Sequence, residues 1–293
     1  MKLLVLGAGG QVGGELRRLA WPRDYRVAAC DRDGVDIACR TAVFAAIERE
    51  RPDLVVNAAA YTAVDRAESE AEAAWAVNAA GPANLAAACG EACVPLIHLS
   101  TDYVFDGSKT APYREDDPVN PLGVYGNSKE AGDRAVREAM REHVILRTAW
   151  VYAAHGHNFV HTMLRLAAER PALRVVADQI GSPTSAADIA AAIAAIAARI
   201  AAGNGRWGTY NFAGAGTVSW HGFATAIFEL AAPWRGPPPP VEAIATSDYP
   251  TPARRPANSV LDCRKIADHY GIVPRPWRAA LADVIHEIYR APR

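Results

Sequence analysis

The chain has 293 residues, 31 basic against 32 acidic, and a formal net charge of -1; hydrophobic residues make up 51% and charged residues 22%. That balance is globular and excludes wholesale disorder, and without a Lys/Arg block it argues against nucleic acid as a partner. The five cysteines (30, 39, 89, 93 and 263) are odd in number and form no C-x-x-C, which speaks against a disulfide framework or a structural zinc site.

The chain opens on MKLLVLGAGG, whose short apolar run is too brief for the core of a secretory leader. Residues 3–6 read as a buried strand, 11–20 as a helix and 25–30 as a second strand ending at Asp31. Residues 41–50 are helical and stopped by Pro52; 54–57 form a strand. Residues 67–77 and 83–93 are helical, with Pro82 suited to a first turn. Cys89 and Cys93, four apart, read as a buried thiol pair on one helix face. Residues 95–100 form a strand, a helix opens near Tyr125 and continues through 130–141, and 144–147 form another strand. Strands alternating with helices predict βαβ units, hence an α/β fold with a Rossmann-type doubly wound parallel sheet.

Beyond this point the pattern changes. Residues 157–169 and 187–202 are helical, and 173–176 form a strand. The longest apolar stretch, 189–202, is mostly alanine and is interrupted by Arg199. It falls short of the ~20 apolar residues of a membrane span, so a cytoplasmic protein with no membrane partner is expected. The PPPP run at 237–240 is a polyproline stretch or surface loop. The segment 249–259, YPTPARRPANS, cannot be regular structure, and a long loop of this kind is functional or disordered. The expected division is a nucleotide-binding domain at 1–147 and a smaller mixed α/β substrate domain at 148–293, with segments near 178–213 returning to the first.

The first strand runs into Gly7-Ala8-Gly9-Gly10-Gln11-Val12-Gly13, which opens a helix. Strand, glycine loop and helix together are what a dinucleotide fingerprint requires. Gly7 permits the sharp turn, Gly10 the approach of backbone to a pyrophosphate, and Gly13 the packing of helix on strand. The helix N-terminus supplies N–H groups and positive dipole to the phosphates. Asp31 ends the second strand, where a carboxylate binds ribose hydroxyls. Arg32 follows and could pair with a 2′-phosphate, so NADH and NADPH both stay open.

Tyr125-Gly126-Asn127-Ser128-Lys129 is Y-x-x-x-K, which places both side chains on one helix face. Upstream, the strand at 95–100 ends at Ser100-Thr101-Asp102. Ligands of open α/β sheets sit beyond strand C-termini, which puts the Thr101 hydroxyl at the cleft. A carbonyl that accepts a hydride becomes an alkoxide and needs a proton. Tyrosine near pKa 10 is a poor partner at neutral pH unless tuned. The Lys129 ammonium and an oxidised nicotinamide ring both favour phenolate and are expected to lower that pKa. Thr101 can hold the carbonyl oxygen as charge develops. Trp150 offers a flat surface for a deoxysugar or thymine, Arg254 and Arg255 could pair with a diphosphate, and Asn158 could reach sugar hydroxyls. His155 and His157 do not share a helix face, and no metal site is expected there.

In order along the chain, the loop 7–13, Asn57-Ala58-Ala59-Ala60, Ser100-Thr101 and Tyr125…Lys129 resemble the extended short-chain dehydrogenase/reductase family. Further stretches, including STDYVFDG (100–107), NPLGVYGNSK (120–129), DQIGSPT (178–184) and YPTPARRPANS, resemble the branch of that family that reduces dTDP-linked 4-keto-6-deoxy sugars. The resemblance implies Thr101, Tyr125 and Lys129 as the catalytic triad. It implies a nicotinamide cofactor lined by Gly10, Gln11, Val12, Asp31, Asp36, Ile37, Ala60, Tyr61 and Thr62, with Gly7, Arg32 and Ala58 beside them, and Tyr125 and Lys129 also touching it. It implies that Asp102 and Trp150 contact a dTDP-sugar, and that the product is dTDP-β-L-rhamnose. Some members are homodimers bridged by Mg2+ through glutamates. Here Glu15 is present, but Ser185-Ala186-Ala187-Asp188 stands where those members carry a glutamate, which puts such a site in doubt. The competing readings are a reductase of another nucleotide-linked keto sugar, and a catalytically silent nucleotide-binding subunit like the regulatory subunit of methionine adenosyltransferase. The intact Thr101, Tyr125 and Lys129 set favours catalysis.

Overall fold

A computed structural model describes residues 1–290. The first part of the chain runs β1 (Lys2–Leu6), α1 (Gln11–Arg18), β2 (Arg26–Cys30), α2 (Arg40–Glu50), β3 (Leu54–Asn57), α3 (Val64–Ala67), α4 (Ala71–Trp75), α5 (Gly81–Ala92), β4 (Leu96–Thr101), α6 (Val124–Ala139) and β5 (His143–Thr148). Then follow β6 (Val151–Tyr152), α7 (Phe159–Glu169), β7 (Leu173–Val176), β8 (Ile180–Gly181), β9 (Thr184–Ser185), α8 (Ala186–Ala201), β10 (Gly208–Asn211), β11 (Val218–Ser219), α9 (Trp220–Arg235), β12 (Val241–Ile244), α10 (Arg264–Tyr270) and α11 (Trp277–Arg290).

The central sheet has six parallel strands in the order β10-β5-β4-β3-β1-β2. Its inner strands β1, β3, β4 and β5 are buried on both faces, as parallel strands covered by crossover helices must be, while the edge strand β2 is partly exposed. Alternation along β1 divides the core. Leu3 and Val5 pack with Leu16 of α1 and with Ile189, Ile193 and Ile196 of α8. Leu4 and Leu6 pack on the other side with Val43 and Ile47 of α2, Leu85 of α5 and Val136 of α6. Isoleucines at four- and three-residue spacing give α8 its inward stripe, and the Ser185 hydroxyl accepts the Ala187 N–H at 3.2 Å to start it. The chain leaves β1 toward β2 on one side and returns to β3 on the other. That reversal is the switch point at which ligands of such sheets bind.

A third core joins α7, α9 and α11 around Phe223, Ile227, Leu164 and Leu281. Beside it β7 pairs in parallel with β12 through four residues each. Helices α9, α10 and α11 and strand β12 have no counterpart in the elements read from sequence. Another difference lies between α4 and α5, where residues Ala76–Ala80 form a π-helical turn. The expected helices at 67–77 and 83–93 are therefore a short turn, α3, followed by a run from α4 through the π turn into α5. The expected thiol pair is corrected here as well. Cys89 is fully buried, but α5 ends at Ala92 and Cys93 is exposed in the left-handed conformation (φ 54°). Its backbone N–H returns to the Cys89 and Gly90 carbonyls, as a residue closing a helix does.

Candidate active site

The glycine loop crosses the C-terminal end of β1. Gly7 sits at φ +82°, and a Cβ there would lie 2.4 Å from the Ala59 nitrogen. A Cβ on Gly13 would lie 2.1 Å from the Gly7 carbonyl oxygen. These two positions therefore demand glycine, one for the turn and one for the approach of α1 to the loop. No side chain caps α1, because Gly10 occupies the N-cap position, so the positive end of the helix faces the cleft.

A cleft of about 320 Å³ opens beside this loop, lined by Gly7, Gly9, Gly10, Asp31, Arg32, Val35, Asp36, Ile37, Ala58, Ala59, Ala60, Tyr61 and Val77. Nine residues expected to hold a dinucleotide thus meet in one groove. Asp31 Oδ1 accepts the Gly34 N–H at 3.1 Å. The Arg32 guanidinium is largely exposed and lies 3.8 Å from Asp36. Five expected residues do not line the groove: Tyr125 and Lys129, described below, and three others. Val12 is buried against the core, Thr62 is exposed beyond the groove, and the Gln11 side chain accepts a hydrogen bond from Asn158 Nδ2 at 3.0 Å. The glycines and the uncapped helix end fit a pyrophosphate, and the open lip at Asp31 and Arg32 fits an adenosine ribose with or without a phosphate.

Thr101, Tyr125 and Lys129 come together at the C-terminal end of β4 and the first turns of α6. The Thr101 hydroxyl donates to Asp102 Oδ1 at 3.0 Å and accepts the Tyr103 N–H at 3.2 Å. Burial lifts the Asp102 carboxyl to about 6, with the Thr101 hydrogen bond among the opposing effects. The Tyr125 ring meets Tyr103 edge-on, with centroids 5.4 Å apart. Burial raises the Tyr125 phenol to about 12, and the neighbouring Thr101 hydroxyl opposes the rise. The Lys129 Nζ donates to the Leu99 carbonyl at 2.7 Å and lies 3.5 Å from His98 Nε2. Burial pushes the lysine down to about 8, and the Asp133 carboxylate pulls the other way.

Two residues near this site escaped the sequence reading. Asn78 sits in the π turn, a feature that often marks functional sites. Its Oδ1 accepts the Tyr61 N–H at 2.8 Å, and its Nδ2 donates to the Tyr61 carbonyl and to Ser128 Oγ. Gly132 of α6 lets the π turn approach, since a Cβ there would lie 2.1 Å from the Asn78 carbonyl oxygen. Asp133 is the other, fully buried one turn beyond Lys129. Its four-residue spacing from the lysine was a usable signal.

The residues expected to hold a sugar nucleotide are more scattered. Trp150 has φ +47° and stacks on Trp220, with centroids 3.5 Å apart and planes 7° apart. Asn158 is engaged within the chain. It caps α7 by accepting the His161 N–H, and its Nδ2 donates to Gln11 and to the Ala153 and His155 carbonyls. Its hydrogen-bonding capacity is spent inside the protein. Arg255 is likewise engaged within the chain, bound to Asp65 at 2.8 Å and to Thr251. Arg254 is exposed. Among the described residues no group of three or more His, Cys, Asp or Glu side chains could hold a metal ion. Glu15 Oε1 lies 2.8 Å from His155 Nε2, and Asp188 is held by Arg275. No helix in the described residues is long and apolar enough to cross a membrane.

A family model described as RmlD substrate binding domain matches residues 1–290. A dTDP-4-dehydrorhamnose reductase of Aggregatibacter actinomycetemcomitans is 46% identical over 97% of this chain and 98% of its own. The chain belongs to the dTDP-4-dehydrorhamnose reductase family. The solved structure of the Clostridium acetobutylicum member superposes with a TM-score of 0.92 at 37% identity, covering 99% of this chain and 100% of that one. The Bacillus anthracis member, solved in complex with NADP, gives 0.90 at 34% identity over 98% and 99%. Family membership therefore spans both the sheet that carries the glycine loop and the helices packed around Phe223.

Proposed function

We propose that this chain reduces the C4 keto group of dTDP-4-dehydro-β-L-rhamnose to dTDP-β-L-rhamnose, the last step of dTDP-rhamnose formation, with NADPH or NADH. The observation that carries the reading is the convergence of Thr101, Tyr125 and Lys129 on the sheet edge that also bears the glycine-loop cleft. The bound nicotinamide supplies the hydride. Gly7, Gly10 and the N-terminus of α1 would hold its pyrophosphate, and Asp31 and Arg32 its adenosine ribose.

The chain's own residues handle the proton. Thr101 Oγ hydrogen-bonds the keto oxygen and holds it against the Tyr125 phenol. Tyr125 is a protonated acid at neutral pH, since burial keeps its phenol at about 12. It delivers its proton to the alkoxide as negative charge gathers there. The Lys129 ammonium steadies the phenolate left behind and contacts the nicotinamide ribose. Asp102 and Trp150 face the sugar nucleotide, and Arg254 is the free cation for the diphosphate.

Nicotinamide oxidation with dTDP-4-dehydro-6-deoxyglucose, with and without a 3,5-epimerase, tests this. Oxidation only with the epimerase supports the L-sugar as substrate. Oxidation without it points to another deoxysugar product. No oxidation in either case, with NADPH still bound, supports a silent binding subunit instead.

A further inference from the structure

A fully buried chain of polar groups runs from the cofactor cleft to the lysine. Ala59 lines the cleft, and its N–H donates to Asn57 Oδ1 at 3.1 Å. That bond fixes the orientation of the Asn57 amide, so Asn57 Nδ2 is the donor to His98 Nδ1 at 3.0 Å. Nδ1 must then be the unprotonated nitrogen of a neutral imidazole, and the His98 proton resides on Nε2. Burial and the neighbouring lysine hold His98 neutral by lowering it to about 4. Nε2 faces Asp133 Oδ1 at 3.4 Å. The other carboxylate oxygen accepts the Ser100 hydroxyl at 2.6 Å. Asn57, His98, Ser100, Lys129 and Asp133 are all buried.

We propose that Asp133 is a positioning residue for Lys129: it supplies the buried counter-charge that keeps the lysine ammonium charged and in place, and Asn57 and His98 tie that charge to the loop lining the cofactor cleft. The inference rests on Lys129 acting as stated above. The Lys129 ammonium makes no direct ion pair, and it donates to a backbone carbonyl. A buried ammonium without a nearby anion sheds its proton. Asp133 is the carboxylate across the His98 ring, whose Nε2 lies 3.5 Å from Lys129 Nζ and 3.4 Å from Asp133 Oδ1, and its charge favours the ammonium. Its negative charge is itself kept by His98, by Lys129 and by Arg147 of β5, whose Nε lies 3.9 Å from Oδ2. The other charged or titratable groups around it are His143 on β5, Tyr125 on α6, and Glu130 of α6, which faces Arg147. None of these takes the place of Asp133, because Glu130 is directed to Arg137 and Arg147.

The test uses the full chain and the pH profiles of kcat and of kcat/KM for NADPH, with Asp133→Asn, Asp133→Glu, His98→Leu and His98→Gln. Asp133→Asn is expected to move the alkaline limb down by about one pH unit or more and to raise KM for NADPH about tenfold. Asp133→Glu, which keeps the charge, is expected to restore the limb. His98→Leu removes the imidazole beside Asp133 Oδ1 and leaves the Ser100 hydroxyl on Oδ2, so the carboxyl takes up a proton more readily. A new acid limb is then expected, and His98→Gln, which can both accept from Asn57 and donate to Asp133, is expected to remove it. The His98 pair decides the matter if Asp133→Asn does not fold. Profiles of folded Asp133→Asn, or of His98→Leu, that coincide with wild type overturn the proposal. A Lys129→Met variant with wild-type kinetics instead overturns the role of Lys129, so the two failures are distinguishable.

Discussion

His155 Nε2 lies 2.8 Å from Glu15 Oε1, tying the segment between β6 and α7 to the first helix of the nucleotide-binding half. The imidazole also covers Gly14, where a Cβ would lie 2.7 Å from His155 Cε1. The glutamate that could bridge subunits through Mg2+ is thus engaged within its own chain, and Asp188 is engaged by Arg275. Treatment with a chelator followed by gel filtration and assay is expected to leave both elution volume and turnover unchanged. A loss of activity restored by Mg2+ would contradict this.

The phenol of Tyr125 carries the proton in the proposed chemistry. Tyr125→Phe keeps the ring and its edge contact with Tyr103. NADPH affinity, read by quenching or calorimetry, is expected to stay within about twofold, while kcat falls by about two orders of magnitude or more. A variant that turns over at the wild-type rate would remove Tyr125 from the mechanism.

Lys129 sets the pH response. A cation lowered by burial is charged below its pKa and neutral above it. With the lysine at about 8, its ammonium is present through the neutral range and is lost as pH rises through 8. The phenol at about 12 stays protonated over that interval. The alkaline limb in kcat/KM for NADPH is therefore expected near pH 8 and belongs to the lysine. Lys129→Met is expected to abolish that limb, to weaken NADPH binding about tenfold and to slow turnover. Profiles recorded from pH 6 to pH 10 on both proteins test the assignment.

Much of this was legible in the sequence because it is local. The glycine loop, the strand before it and the helix after it are contiguous, and Y-x-x-x-K is one helical turn. What the sequence did not show has physical reasons. Asn158 precedes an apolar helical run at 159, which is the pattern of an N-cap, and the cap was not read from it. Arg255 meets Asp65 across 190 positions, a pairing no local pattern encodes. Strand β12 exists because β7 offers it a parallel partner. Its own four residues, VEAI, follow the prolines and carry little signal. Asp133 owes its burial to Ser100 and His98 of β4 and Arg147 of β5, which no local pattern around it encodes.

The adjacent arginines of the proline-rich loop are expected to behave differently. Arg255 anchors the loop by its bond to Asp65 and its bonds to Thr251 Oγ1 and the Ala253 carbonyl, while the Ala253 N–H also reaches Asp65. Arg254 is exposed beside it. Arg255→Ala removes the clamp and leaves Asp65 partly buried and unpaired. A partly exposed ion pair with several hydrogen bonds is worth about 1 kcal/mol, so a lowered Tm and a poorer kcat/KM for the sugar nucleotide are expected together. Arg254→Ala touches no such contact. Its Tm is expected to match wild type, while KM for the sugar nucleotide rises about tenfold through loss of a charge-assisted bond to the diphosphate. Thermal melts and steady-state kinetics on the two variants separate the roles, and an unchanged KM in Arg254→Ala would leave the diphosphate without this partner.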